Sequence, residues 1–562
     1  MRDEFPRPQA QRKNWQSLNG KYLFAFIEEF DNRYFDKTNY NLTIEVPFTF
    51  ESELSGLKDT TFHEKIVYYK EFKVLNFPHT ILHFEAVDYE SYIYLNKELI
   101  GHNIGGETPI DIDVSDKLKE NNTLVIYVID SPTNQSQPRG KQYWKEKSAE
   151  IFYTRTSGIW QSVWLEYLPD VYISNLKLTP LYDLGLIQIE FNLNELVDYE
   201  IIINDKVYKS KAKSLVVIEK IKVLNNKNDY QKYSWSPEQP YLFNLIIKAK
   251  DDTLTSYFGM RKISYNADSV LLNNKPYFLK MLLDQGYYED GILTPSDISV
   301  LKNDIIMMKE MGFNGARKHQ KIEDFYYYYY ADTLGFLVWS ENASSYLFND
   351  ESKTAQINDW KRLIKRNYNH PCIMAWVPLN ESWGVPLIAK DKEQQLHSLN
   401  LVNIIKELDS TRLVVSNDGW EQTKGDLCCF HNYQHGRLDE IEKRKKFAFD
   451  LKSKENILKS TTANKTIYAE GYQYNNVPII LSEFGGISFT SKEGWGYTSV
   501  NSEQGLLDEY KRIIDVIELS TGLAGYVYTQ FSDVEQEING LVTYQRKYKV
   551  DPKKIKEIND LV

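Results

Sequence analysis

Two glutamates stand where chemistry could be done. Glu381 follows an apolar run in PCIMAWVPLNESWG (371–384), and Glu483 follows another in VPIILSEFGG (477–486), about a hundred residues on. A buried carboxylate is costly unless it is paired, hydrated or shifted in pKa. Either glutamate alone reads as a solvated strand end. Two that face one pocket can divide labour: one gives a proton to a leaving oxygen, the other attacks the carbon left behind. Glycosidic cleavage needs that division. Repulsion between the two is expected to keep the acid's pKa raised until the nucleophile is consumed.

The elements that would position them come from the segment after about residue 266, where apolar strands alternate with helical stretches. Eight candidate strands are YFLKMLLDQ, FNGARKHQ, GFLVWSEN, CIMAWVPLNES, RLVVSND, DLCCFHNYQH, PIILSEFGG and LAGYVYTQFSD. SDISVLKNDIIMMKEMG and VNSEQGLLDEYKRIIDVIEL read as intervening helices, and DFYYYYYADTLG as another whose tyrosines pack rather than bind. Eight such units over residues 266–562 fit a TIM barrel, which carries its active site at the carboxyl ends of its strands. The polar residues fall there: Asp284, His319, Glu341, Asn380, Glu381, His431, Asn432, Glu483, Gln530 and Asp533. Glu381 then ends the fourth strand and Glu483 the seventh, both at one mouth.

Two β-rich segments precede the barrel. Residues 1–168 alternate apolar and polar positions in IVYYKEFKVL, TILHFEAVDYESYIYLNKELI and NTLVIYVIDS, the pattern of a sandwich or jelly roll. Residues 169–265, with LIQIEFNLNE and PYLFNLIIKAKD, fit an immunoglobulin-like sandwich packed against it.

Composition excludes several classes. A net charge of −11 with interspersed signs argues against nucleic acid and anionic membrane surfaces. Three cysteines (372, 428, 429) give no disulfide framework or zinc spacing, and no histidine pattern suggests a metal, so neither metal nor cofactor is expected. The start, MRDEFPRPQAQRKNW, lacks an apolar signal core, which leads us to expect a soluble, cytoplasmic protein; assembly into a homo-oligomer is left open. Aromatic residues make 14% of the chain, which suits strand packing and also sugar stacking.

Together, Asn380-Glu381 after strand four and Glu483 after strand seven resemble glycoside hydrolase family 2. RPQAQRKNWQSLNGKYLFAF resembles the family's opening, and FYTRTSGIWQSVWLEYL the end of its sugar-binding jelly roll. The resemblance implies a three-part chain: jelly roll, immunoglobulin-like sandwich and catalytic (β/α)8 barrel. It makes Glu381 the acid/base, Glu483 the nucleophile and Asn380 the partner of the sugar's 2-hydroxyl. It places Tyr433, after Asn432, near the nucleophile, Arg317 on the nucleophile's carboxylate and Trp383 against the sugar. Asp284, His319 and Gln530 read as further contacts with a carbohydrate substrate.

Departures bear on the substrate. Asp284-Gln285 stands where many members carry His-Glu, Gln320 where a histidine follows the arginine, and Thr529 where strand eight often ends in tryptophan. The glucuronidase branch holds its sugar carboxylate with asparagine and lysine two apart; here the loop DVEQEINGLVTYQRK presents Glu537-Ile538-Asn539. Asp533, Glu535 and Glu537 would repel a uronate. The expectation is therefore a retaining exo-β-glycosidase for a neutral sugar such as β-galactose. Uronidases, β-mannosidase and α-L-arabinosidase are the alternatives within the family, transglycosylation is an alternative outcome, and an inactive carbohydrate-binding protein is the reading of another class.

Overall fold

The computed structural model describes residues 2–562. Three large apolar cores organise it, and a smaller cluster of Ala86, Tyr153 and Trp160 with Tyr287, Ile292, Leu293 and Val534 joins the first to the third. The first lies between a six-stranded and a four-stranded antiparallel sheet within residues 15–168, where Phe24, Tyr68, Phe84, Ile93, Ile126 and Leu165 are buried. The second lies between a three-stranded and a four-stranded sheet within residues 173–258. Strand Leu186–Leu193 shows why such a core forms: Ile187, Ile189, Phe191 and Leu193 point inward while the residues between them stay half-exposed, the two-residue period of a one-sided sheet.

The third core belongs to an eight-stranded parallel sheet. Its strands are β1 (Leu279–Asp284), β2 (Gly315–Lys318), β3 (Leu337–Glu341), β4 (Ile373–Val377), β5 (Leu413–Val414), β6 (Cys428–His431), β7 (Ile479–Gly485) and β8 (Gly525–Thr529). The hydrogen-bonded order is β5-β4-β3-β2-β1-β8-β7-β6, a sheet curled into a TIM barrel. Every residue of β4, IMAWV, is buried, as expected of parallel strands covered on both faces. Helix α1 (Ile298–Glu310) follows β1, α2 (Phe325–Leu334) follows β2, α3 (Asp350–Asn367) follows β3 and α4 (Lys392–Leu408) follows β4. The tyrosine run forms α2, where Tyr327 and Tyr328 pack in the core and Asp324 caps the first turn.

The rhythm differs from expectation once. Among the described residues no helix separates β5 from β6, and these two strands do not pair. The Gln422 side chain closes that seam, donating to the Cys429 carbonyl (2.5 Å) and accepting from the Cys429 amide (3.1 Å). A side-chain amide carries one donor and one acceptor group, so it can stand in for a missing strand neighbour. The three cysteines are buried and free, and no helix among the described residues is long and apolar enough to cross a membrane.

Residues 139–154 of the amino-terminal segment lean onto the barrel mouth. The amides of Arg139 and Gly140 both donate to the Ser344 carbonyl (3.0 and 3.1 Å). Gly140 sits at φ +53°, and a Cβ there would stand 2.5 Å from the Gln320 carbonyl, so only glycine allows this approach. On the far side, Tyr153 donates to Glu537 (2.6 Å) and the Thr154 amide to Glu535 (3.0 Å).

Candidate active site

β2 delivers Arg317 into the barrel interior, fully buried, and its guanidinium gathers the carboxyl ends of four other strands. Nε donates to Glu341 (2.9 Å), one terminal nitrogen to Glu483 (2.9 Å) and the other to Asn380 Oδ1 (2.6 Å), and Asp418 pairs with the same guanidinium. Burial alone would disfavour the cation; Asp418, Glu341 and Glu483 outweigh it and hold Arg317 charged. The planar fork of arginine suits several acceptors at once.

Glu381 answers why an apolar strand leads to a carboxylate. β4 ends at Val377, and the chain then bends so that Glu381 and Ser382 both take left-handed backbone angles, φ +50° and +61°. Non-glycine residues pay on the order of 1–3 kcal/mol for that conformation, and it persists where surroundings over-determine it. Here the Glu381 amide donates to the Asp418 carbonyl (2.8 Å), the Ser382 amide to Asn417 (3.1 Å) and the Ser382 hydroxyl to Glu421 (2.7 Å). The strain turns the Glu381 side chain to the mouth, where it is 18% exposed.

Glu483 lies within β7, close beneath. Its carboxylate accepts from Arg317 on one oxygen and from Tyr433 on the other (2.7 Å), and Tyr433 also meets Thr529 (2.8 Å). Thr529, where the family pattern often has tryptophan, thus helps fix the tyrosine that holds Glu483. One oxygen each of Glu381 and Glu483, with a ring nitrogen of His431, lie within 4.8 Å of one another. That donor set could hold a cation by distance alone, but both imidazole nitrogens of His431 already face carboxylates: Nδ1 meets Glu381 (2.7 Å), and Nε2 meets Asp418 (3.3 Å) and Glu483 (3.5 Å).

His431 changes the electrostatics expected of the pair. Burial lowers its pKa, but Glu483 and Asp418 raise it to about 10, so the ring is cationic. Burial in turn pushes Glu381 upward, yet the hydrogen bond and charge of His431, with His319 and Lys141 beyond, hold it below the ordinary glutamate range. The expectation of an acid raised by repulsion from Glu483 is therefore corrected. An imidazolium between the two carboxylates replaces repulsion as the controlling force.

The other expected site residues divide. Asn380 is fully buried, and its Nδ2 has no partner among the described residues. His319 meets Glu341 (3.2 Å), and its ring lies 5.9 Å from that of Trp383. Trp383 joins an aromatic wall with Tyr346 (5.5 Å) and Phe152 (6.3 Å), to which Trp144 adds. Gln530 is buried in an amide chain, accepting from Gln285 (2.8 Å) and donating to Asn539 (2.7 Å). Asn432 is spent on the turn: its side chain accepts from the Gln434 amide (2.9 Å). Asp284 is not brought to the pair, because Lys318 holds its carboxylate (2.8 Å).

The acidic loop after β8 is also occupied. Asp533 pairs with Lys549 (2.6 Å), Glu535 caps the Thr154 amide, and Glu537 accepts from Tyr153 and Asn539. Of the three, Glu537 acts on both Lys141 and Tyr497. Sequence reasoning missed Asp418, Lys141, Trp144, Phe152 and Tyr346. Asp418 stands at the end of RLVVSND and could have been found as one more strand-end carboxylate; the others come from loops with no periodic signal. A separate cavity of about 510 Å³ lies where the sandwiches meet the barrel. Of its four arginines, Arg7 pairs with Glu85 and Arg12 with Glu166 and Asp252, while Arg362 and Arg366 donate to the backbone carbonyls of Pro109 and Glu323.

The family model described as "Glycosyl hydrolases family 2, TIM barrel domain" matches residues 267–562. A β-galactosidase of Thermoanaerobacterium thermosulfurigenes is 25% identical over 519 residues, spanning 85% of this chain and 64% of that protein. A putative β-glucuronidase of Formosa agariphila is 26% identical, over 59% of this chain and 41% of its own length. The chain thus spans less than two thirds of the length of these relatives. Among solved structures, a β-glucuronidase from an uncultured Clostridium superposes with a TM-score of 0.79 at 19% identity over all of both chains. A β-galacturonidase of Eisenbergiella tayi bound to galacturonate superposes with a TM-score of 0.77 at 17% identity over 99% of each. At such identities these structures establish the shared fold.

Proposed function

This chain belongs to glycoside hydrolase family 2, and from that premise we propose that it is a retaining, exo-acting β-glycosidase that removes a terminal neutral sugar such as β-galactose. One observation carries the reading: a carboxylate oxygen of Glu381 and one of Glu483 lie within 4.8 Å of each other at one mouth. Retaining enzymes hold the two groups about 5–5.5 Å apart, whereas inverting ones leave about 6.5–9.5 Å for a water.

Glu483, held by Arg317 and Tyr433, is aimed as the nucleophile. Its attack on the anomeric carbon forms the glycosyl ester as the bond to the leaving oxygen breaks. The protonated form of Glu381, which the His431 imidazolium disfavours, supplies the proton to that oxygen, and the carboxylate left behind takes one from the water that cleaves the ester. Neutralising Glu483 in the ester removes the largest attraction acting on His431, which frees the imidazolium's hold to shift as the reaction proceeds. Asn380 Nδ2 is the donor suited to the 2-hydroxyl, and Trp383, Tyr346, Phe152 and Trp144 form the aromatic surface against which a sugar and its aglycone would stack.

The neutral-sugar reading rests on charge. Glu341, Asp418, Glu381 and Glu483 face Arg317 and His431, an excess of anions that favours an oxocarbenium-like centre over a uronate. The domain reading (1–168 jelly roll, 169–265 immunoglobulin-like sandwich, 266–562 catalytic barrel) is supported by the three large apolar cores. Purified protein assayed by NMR on nitrophenyl glycosides tests the reading. The first product formed should be the β-anomer; an α-anomer first would overturn retention.

A further inference from the structure

Lys141 is a charged side chain that the scheme above leaves without work. Gly140 and its neighbours pin the backbone of this segment to the barrel loops, so Lys141 enters the mouth from the amino-terminal sandwich. The residue is 5% exposed, and among the described residues its ammonium forms no hydrogen bond and no ion pair. It lies 5.2 Å from the ring centre of Tyr153 and 5.6 Å from that of Trp383. The carboxylates that act on it are, in order, Glu537, Glu483, Glu381 and Glu341, none within ion-pair distance. Lysines this buried are ordinarily paired.

The gap between this ammonium and Glu537 has a definite chemistry. Glu537 is fixed by the Tyr153 hydroxyl on one oxygen and Asn539 on the other, and each carboxylate oxygen keeps a further lone pair. A hydroxyl can accept from an ammonium and donate to a carboxylate at once. The C6 carboxylate of a uronate, bearing only acceptors, would bring its charge against Glu537. The 2-hydroxyl and anomeric carbon belong to Asn380 and the Glu381–Glu483 pair, which leaves the hydroxyls farther round the ring. We propose that Lys141 and Glu537 clamp one of the 3-, 4- or 6-hydroxyls of the terminal sugar. In this reading the amino-terminal sandwich supplies a specificity residue to the barrel's active site. The inference rests on the glycosidase reading above and names the feature of the sugar that is selected.

The test uses the full chain and its Lys141→Met variant on the neutral nitrophenyl β-glycoside that the parent cleaves fastest, on its 3-, 4- and 6-deoxy analogues, and on the matching uronide. A hydrogen bond to a charged partner sets the expected scale, so Lys141→Met should lose roughly 10- to 100-fold in kcat/KM on the neutral glycoside. On one deoxy analogue the parent should already have lost that factor, and the variant should lose less than about threefold more. The variant's Tm should be no lower than the parent's, because an unpaired buried ammonium has been removed. A variant within threefold of the parent on the full glycoside, or one equally impaired on every analogue, overturns the clamp while leaving the activity standing. A loss confined to the uronide also overturns it and makes Lys141 a carboxylate holder. A parent that cleaves uronides alone overturns both the clamp and the neutral-sugar reading.

Discussion

Arg317 and Lys318 are neighbours on β2, both fully buried, and they organise two charge clusters of opposite character. Lys318 pairs with Asp284 (2.8 Å) and Glu323 (2.9 Å), and Lys321 pairs with the same Glu323 (3.0 Å). Two cations meet two carboxylates, and burial notwithstanding, Lys318 and Lys321 hold Glu323 down to about 2. Around Arg317 the balance is unequal. Glu341, Asp418, Glu381 and Glu483 outnumber Arg317 and His431, the Asn380 amide keeps a free donor, and Glu381 reaches the mouth. The balanced cluster can only hold the fold together. The unbalanced one keeps charge and hydrogen-bonding capacity for something that arrives. Successive strand residues face opposite ways, so one strand serves both clusters.

The largest test of this contrast is at the carboxylates. Glu483→Ala should lower turnover by on the order of 10⁵-fold on every substrate, since loss of a nucleophile removes the covalent route. Glu381→Ala should spare glycosides with a good leaving group, which need little protonation, and added azide should then restore turnover and yield a β-glycosyl azide. An α-azide from Glu381→Ala would mean that the two roles are exchanged.

Next comes the arginine itself. Arg317→Met leaves buried carboxylates uncompensated, at a cost of about 3–5 kcal/mol in stability, and should also abolish measurable turnover in whatever fraction stays folded. Denaturant titration and active-site titration on the same sample separate the two effects. Full specific activity in the folded fraction would break the comparison.

Asp284→Asn probes the other cluster with a milder change. Glu323 still faces Lys318, so a loss of about 1–3 kcal/mol is expected with kcat and KM unchanged. A raised KM at unaltered stability would return Asp284 to the substrate-binding role that its sequence position suggested.

His431→Asn should give the smallest effect, read as a pH shift. In the parent the imidazolium holds Glu381 below its ordinary range. Without that cation burial acts unopposed by its largest counterweight, so the acid keeps its proton to higher pH. The descending limb of kcat/KM should move up by about one pH unit, equivalent to about 1.4 kcal/mol. A limb that stays put, or moves down, would show that His431 does not govern Glu381.

Much of this arrangement is legible in the chain. Apolar runs broken by Asn380-Glu381 and by Glu483 mark two strand ends because a strand has no other use for a carboxylate there, and Arg317 stands out as a cation inside FNGARKHQ. What sequence hides is the direction of side chains and the company they keep. His431 and Glu381 are 50 residues apart, so the hydrogen bond that sets the acid's charge is invisible until both strands are in place. The acidic loop after β8 reads as repulsive, but Lys549 and Tyr153, from other parts of the chain, engage Asp533 and Glu537. Lys141 carries no signal at all, because its importance comes from a glycine that lets one segment touch another. The missing helix between β5 and β6 is equally silent, since a two-residue strand sealed by Gln422 has no period to detect.

The proposed route turns on a covalent bond between Glu483 and the sugar. Incubating the protein with a 2-deoxy-2-fluoro glycoside bearing a dinitrophenyl leaving group should trap that ester, because fluorine at C2 slows formation and breakdown while the activated leaving group still allows the first step. Intact-protein mass spectrometry followed by peptide mapping should then find one fluorosugar per chain, on Glu483. A label on Glu381, or substrate consumed with no label on any carboxylate, would contradict the account.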